Sequence, residues 1–423
     1  MNWRSGFIKD TAVLMTGTVV AQSIAFAFSV VVARQFSDVE FGRYAVFCAV
    51  LAVAGILSTG AYDRALVFAV STRRLRALVL VVLATSLVVA TLILVCGIAL
   101  RGWLIRVTGV GISPFDVIAL ATATVCYACG QVFIYMSLRG NRPRVIATTK
   151  VGQSLVTGGM QSGLGAASLS EGLVAGHVLG VSFLAAGVLP HARDAAKGFN
   201  SRRWAEVCST MRAMARYPRY VCPNELIDAA SAQAPLVLIS SAFSLSTGGQ
   251  YAFAQRMLGA PAALVGQAVG QAFLQRIGTM GLGQREIRRL MFRVWGALAL
   301  LGLLPFGAVL LWGDVIFAFV FGQTWGEAGV VAAVSAPLLL VRFISSPTSA
   351  IAYRLDMQPQ QFLFSTIMAF ARTAPVLFGF RGATLGQVIV LQTIGELAVI
   401  SAFNLIALSR LARYSTGFEG SVR

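Results

Sequence analysis

Apolar stretches about as long as a bilayer-crossing helix follow one another along the whole chain. A helix needs about 20 such residues to cross the hydrocarbon core. Spans are expected near 11–33, 44–62, 77–100, 114–137, 145–167, 172–190, 220–242, 250–273, 290–312, 329–352, 361–380 and 384–408. Only 12% of the residues are charged and mean hydropathy is +0.77. That is too little charge to cover the surface of a soluble domain of 423 residues. The first stretch, Thr11 to Ala33, is too long for a signal-peptide core and reads as an uncleaved span. The expected fold class is an all-α polytopic membrane protein with about 12 transmembrane helices.

Net charge is +18, and 31 of the 34 basic residues are arginine. In a soluble protein this balance points to nucleic acid. Here the basic residues sit mostly in short loops, where they set orientation, and no nucleic-acid partner is expected. With a cytoplasmic N-terminus, the inside segments hold 25 basic residues and the outside segments five: Arg34, Arg43, Arg101, Arg106 and Arg381. Deleting one span would scramble every later loop, so the ratio supports an even number of spans. Both termini are expected on the cytoplasmic side of a bacterial inner membrane. The longest inside segment, His191–Arg219, carries Trp204, Val207, Met211 and Met214 near helical spacing. That pattern suits an amphipathic helix on the membrane surface.

An internal repeat divides the chain. Phe36-Ser-Asp-Val-Glu-Phe-Gly-Arg-Tyr-Ala45 and Phe243-Ser-Leu-Ser-Thr-Gly-Gly-Gln-Tyr-Ala252 match at five of ten positions, 207 residues apart without a gap. Both lie in an outside loop, leading into spans two and eight. Repeats six spans apart keep the same topology, so the halves are parallel repeats about an axis along the membrane normal. The expected organisation is a six-helix lobe at 1–190, a cytoplasmic connecting segment at 191–219, a second lobe at 220–408 and a tail at 409–423. Two such lobes enclosing a central cavity is an architecture of alternating-access transporters.

Ionisable groups at membrane depth are costly and normally face a wet cavity or a partner. Lys150 lies in span five, Glu225 and Asp228 open span seven, Arg256 lies in span eight, and Arg342, Arg372 and Glu396 fall near the middle of spans ten, eleven and twelve. From Arg256, steps of 7 and 11 reach Ala263 and Gln267, with Gly270 and Gln271 flanking that line. The stripe fits a cavity wall, or small-residue packing with Arg256 snorkelling outward. Arg342, Arg372 and Glu396 fit either an anion site or a structural ion pair. Glu225 and Asp228 share a helix face and fit either a Na+ or H+ coupling site or simple exposure at the cytoplasmic mouth.

Cys126 and Cys129 form a CxxC inside an apolar helical run, which reads as small-residue packing rather than as a metal or redox site. No Gly-rich loop ending in GK[ST] occurs, so ATP would have to come through a partner.

Four motifs carry a family resemblance: Ala33-Arg-Gln-Phe-Ser-Asp-Val-Glu-Phe-Gly-Arg-Tyr-Ala45; Arg216-Tyr-Pro-Arg-Tyr220; Gly249-Gln-Tyr-Ala-Phe-Ala-Gln-Arg256 with Pro261 and Gly266-Gln-Ala-Val-Gly-Gln271; and Phe321-Gly-Gln-Thr-Trp-Gly-Glu-Ala-Gly329. The chain resembles the Wzx-type oligosaccharide flippases of the multidrug/oligosaccharidyl-lipid/polysaccharide exporter superfamily. The resemblance implies a twelve-span, two-lobe fold. It implies transfer of undecaprenyl-diphosphate-linked oligosaccharide from the cytoplasmic to the periplasmic leaflet, with no enzymatic step and no cofactor beyond a coupling ion. By similarity Arg256 meets the pyrophosphate. Arg342, Arg372 or Lys150 would join it, and Gln267, Gln271 and Gln153 would bond sugar hydroxyls. Glu225, Asp228 and Glu396 are the candidates for Na+ or H+ coupling. A polysaccharide polymerase is a candidate partner. The alternatives are a cation-coupled drug or metabolite exporter of the same fold, which would want carboxylates at depth in the first lobe, and a membrane glycosyltransferase or polymerase, which would want large outside loops.

Overall fold

The computed structural model describes residues 3–69, 71–108, 111–196, 201–279, 284–346, 348, 357–379 and 382–417. Among them the chain is helical, with short turns and no strand. The helices are α1 (Trp3–Gln35), α2 (Asp38–Thr59), α3 (Tyr62–Phe68), α4 (Thr72–Ala99), α5 (Arg101–Thr108), α6 (Pro114–Arg139), α7 (Pro143–Ala166), α8 (Gly172–Ala186), α9 (Leu189–Ala196), α10 (Ser201–Ala213) and α11 (Cys222–Ala242). They continue with α12 (Leu245–Thr279), α13 (Gln284–Phe321), α14 (Gly326–Ser345), α15 (Gln358–Gly379) and α16 (Leu385–Gly417). Each of the twelve expected spans falls on these helices, the sixth on α8 with the start of α9. The far end of the tenth, at residues 347 and 349–352, and residue 380 of the eleventh lie outside the described residues.

Seven described helices are long and apolar enough to cross a membrane on composition alone: α1, α2, α4, α6, α13, α14 and α16. The pair α8 and α9, bent by 54° between them, makes an eighth. The remaining four expected spans, on α7, α11, α12 and α15, are more polar. They carry Lys150, Glu225, Asp228, Arg256 and Arg372, the residues that polarity at depth brings to attention.

The chain forms two compact units, Met1–Ser241 and Ala242–Arg423. In the first unit, α7 lies along α1 and α8. Glycine makes this possible: a Cβ at Gly158 would collide with the Phe28 ring, and one at Gly152 would come within 2.7 Å of Phe183. In lipid, where apolar surface alone gives little drive to association, such close backbone approach is what holds helices together. This explains how a span interrupted by Lys150, Gly and Gln still forms one continuous helix.

One core cluster of the first unit gathers Leu66, Leu78, Val82, Ala128 and Val132, all fully buried, from α3, α4 and α6. Val207 of α10 belongs to it, and Met211 and Met214 pack against it. The segment expected to lie on the membrane surface therefore docks its apolar face on the protein, against α4, and leaves Trp204 exposed. Helical periodicity specifies an apolar stripe but not what covers it.

The repeated motif does the same structural work in both units. Ser37 caps α2, accepting from the Glu40 amide while the Glu40 carboxylate returns to the Ser37 amide at 2.7 Å. Ser244 stands in the same place before α12, its hydroxyl accepting from the Thr247 amide at 3.0 Å. Such a cap contributes about 1 kcal/mol. One position before the shared tyrosine, Arg43 donates to Asp116 and Ser113 at the start of α6, the fourth span. Its counterpart Gln250 accepts from the Ala328 amide at 2.9 Å and donates to the Thr324 carbonyl at 2.7 Å, at the start of α14, the tenth span. Buried Tyr44 bonds His177 of α8, the sixth span, at 3.0 Å; buried Tyr251 accepts from Gln392 of α16, the twelfth, at 3.1 Å. The two lobes are thus built by the same contacts between corresponding helices.

Gln250 also explains the loop Phe321–Gly329. Gly322 takes φ +112°, a backbone state open to glycine, and lets the chain turn sharply after α13. Trp325, fully buried, then packs on Phe253 with ring centroids 4.1 Å apart.

Candidate functional site

The second unit brings three of the expected charges together. Glu396 of α16 is only 2% exposed and accepts from both Arg342 of α14 and Arg372 of α15, the latter at 3.2 Å. Gln392, one turn earlier on α16, donates to the other Glu396 oxygen at 3.1 Å and to the Tyr251 hydroxyl. A lone carboxylate here would carry a prohibitive desolvation cost; two guanidinium groups and an amide meet it. The triad holds two cations and one anion. The side chains of Arg342 and Arg372 stay 33% and 24% exposed while the glutamate does not. Its accessible face is therefore positive, and a guanidinium fork suits phosphate oxygens.

The first unit holds a second ionisable cluster. Arg64 of α3 pairs with Glu225 of α11 at 2.7 Å, and Asp63 lies beside it, buried, with one carboxylate oxygen unpartnered among the described residues. Tyr127 and Tyr135 of α6 lie within electrostatic reach. Burial pushes the Asp63 carboxyl above the usual carboxylate range, against the opposing pull of a Thr59 hydrogen bond and the Arg64 charge. Arg139 closes the local structure by donating to the Leu66 and Ala69 carbonyls, which end α3. Unpaired carbonyls at a helix end attract a cation in this way.

Of the other expected residues, Asp228 is exposed on α11, and Lys150 and Gln153 are half-buried on α7. Arg256 and Ala263 are exposed on the surface of their unit. Gln267 and Gln271 lie on the same helix, but their side chains fall outside the described residues. Two candidates for ion coupling are engaged otherwise: Glu225 by Arg64, and Glu396 by its two arginines. Cys126 sits 3.3 Å from the Ser182 hydroxyl and Cys129 packs against the core, which fits small-residue packing. Among the described residues no group of three His, Cys, Asp or Glu is placed to hold a metal ion.

Two participants were not anticipated. Tyr251 stood inside the repeated motif and Gln392 one turn before Glu396, so both could be found once the shared tyrosine and the i, i+4 spacing were considered together.

The fold defines the class. The solved lipid II flippase MurJ, in an inward closed conformation, is similar with a TM-score of 0.69 and 11% identity, covering 95% of this chain and 90% of that one. An inward-facing multidrug resistance transporter of the MATE family, in the MOP superfamily, gives 0.59 and 12% identity over 95% and 99%. A Vibrio cholerae MATE transporter gives 0.55 and 13% identity over 97% of each chain. The chain has the fold of the MOP transporters. A family model described as polysaccharide biosynthesis protein matches residues 31–330, and the chain belongs to that family. No curated protein matches the sequence significantly.

Proposed function

We propose that this protein moves undecaprenyl-diphosphate-linked oligosaccharide from the cytoplasmic to the periplasmic leaflet of a bacterial inner membrane by alternating access, with both termini cytoplasmic. The observation that carries the reading is the Arg342–Glu396–Arg372 triad, two guanidinium groups about one carboxylate, on three helices that we read as spans. A diphosphate head group needs such a partner once it leaves water. The family's description and the fold shared with a lipid II flippase support the same reading. Arg256 is the further basic residue assigned to the head group, with Lys150 in the first unit and Gln153, Gln267 and Gln271 for the sugar. Coupling to Na+ or H+ would require Glu225 or Glu396 to exchange its arginine for the ion, so Asp228 is the more accessible of the three carboxylates.

The MATE likeness favours a second reading, export of a soluble drug or metabolite. Proteoliposomes separate the two. A fluorescent undecaprenyl-diphosphate glycan should equilibrate between leaflets in vesicles holding the protein. Arg372→Ala and Arg256→Ala should each slow it at least about tenfold, the loss of one charge-assisted contact. Unchanged rates in both variants would remove the basic residues from the mechanism, and efflux of cationic dyes without glycan movement would favour the exporter.

A further inference from the structure

The first turns of α13 carry Arg288, Arg289, Phe292 and Arg293, which line a surface hollow of about 520 Å³. All four side chains are exposed, and among the described residues no carboxylate pairs with the three arginines. A charge run is usually a solvated face, but what continues from this one is apolar. Gly296, Leu300, Leu303 and Leu304 follow at helical spacing; a Cβ at Gly296 would meet nothing within 4 Å, and Leu300 and Leu304 are 77% and 83% exposed. From Arg289 to Leu300 the helix climbs about 16 Å, the step from head groups into acyl chains. Phe292, exposed among the arginines, stands edge-on to the Trp295 ring with centroids 5.7 Å apart.

Here a triply basic hollow opens directly above a bare aliphatic helix face. We propose that it is a head-group site for an anionic phospholipid of the cytoplasmic leaflet, the phosphodiester held by Arg288, Arg289 and Arg293 and the acyl chains laid along Gly296 to Leu304. Charge complementarity selects an anionic lipid over a zwitterionic one, and the adjoining apolar strip selects a lipid over free phosphate. The site is separate from the Arg342–Glu396–Arg372 triad and does not depend on what the protein transports.

The test uses the full chain purified in a neutral detergent and titrated with dioleoylphosphatidylglycerol or dioleoylphosphatidylcholine, with bound lipid counted by native mass spectrometry. The wild type should retain the anionic phosphatidylglycerol preferentially. Arg288→Gln with Arg289→Gln and Arg293→Gln should weaken its retention about tenfold or more. The Lys substitutions at the same three positions control for folding and should keep most of the preference. A second triple, Arg73→Gln with Arg74→Gln and Arg76→Gln at the start of α4, removes the same net charge elsewhere and should leave retention unchanged. Equal loss in both triples would reduce the effect to overall charge and overturn the site. So would unchanged retention in the α13 triple, or inorganic phosphate displacing the lipid at millimolar concentration. One-for-one displacement by undecaprenyl diphosphate would reassign the hollow to the transported lipid and overturn the phospholipid assignment.

Discussion

Arg64 and Glu225 stand 2.7 Å apart, joining the short helix that follows the second span to the start of the seventh. The arginine is nearly half exposed, so solvent screens the pair. A double-mutant cycle with Arg64→Gln and Glu225→Gln, read by thermal stability in detergent, should give a coupling below about 1 kcal/mol. Its effect on glycan movement should be larger than its effect on stability if the pair opens during transport. Exchanging the charges, Arg64→Glu with Glu225→Arg, should restore what either single change loses.

Asp63, beside that pair, gives a pH dependence of definite sign. Burial raises its carboxyl pKa in the folded protein, so the folded state holds the proton more tightly than the unfolded chain does. Stability is then favoured at low pH and falls as pH rises from the ordinary carboxylate range through the raised folded value. Asp63→Asn should therefore melt higher than the wild type at pH 8, with the gap closing as the pH is lowered toward 4. A gap that widens on acidification would mean that the Thr59 and Arg64 interactions outweigh burial.

Glu396 balances two guanidinium groups. Glu396→Gln should lower stability by about 2–4 kcal/mol, because both arginines lose their counter-charge in a site they only partly leave. Combining it with Arg342→Met should recover part of that loss. Melting curves of the two variants measure the difference directly.

The paired caps and clamps can be compared across the repeat. Ser37→Ala and Ser244→Ala should each cost about 1 kcal/mol. Gln250→Leu should cost about 2 kcal/mol, since it strands the Ala328 amide and the Thr324 carbonyl. Protease accessibility of the 321–329 loop gives a local readout of the Gln250 substitution.

Much of the architecture could be read directly from the chain, because hydropathy and the distribution of arginine are both written residue by residue. The twelve spans fall on helices for that reason. The docking of Val207 and Met211 could not be read the same way, since the same apolar stripe serves a membrane surface or a protein groove. Arg342, Arg372 and Glu396 could be expected to cluster from their similar depth; that both arginines meet the same carboxylate depends on how α14, α15 and α16 lie together. Arg288, Arg289 and Arg293 escaped notice as a group because each had already been accounted for as an orientation signal.

The clamp beside the shared tyrosine has diverged in kind between the two units. Arg43 grips its helix through an ionic contact with Asp116, whereas Gln250 grips the matching helix through neutral amide bonds alone. Two halves assembled to one plan therefore answer differently to ionic strength: rising salt loosens the first fastening and spares the second.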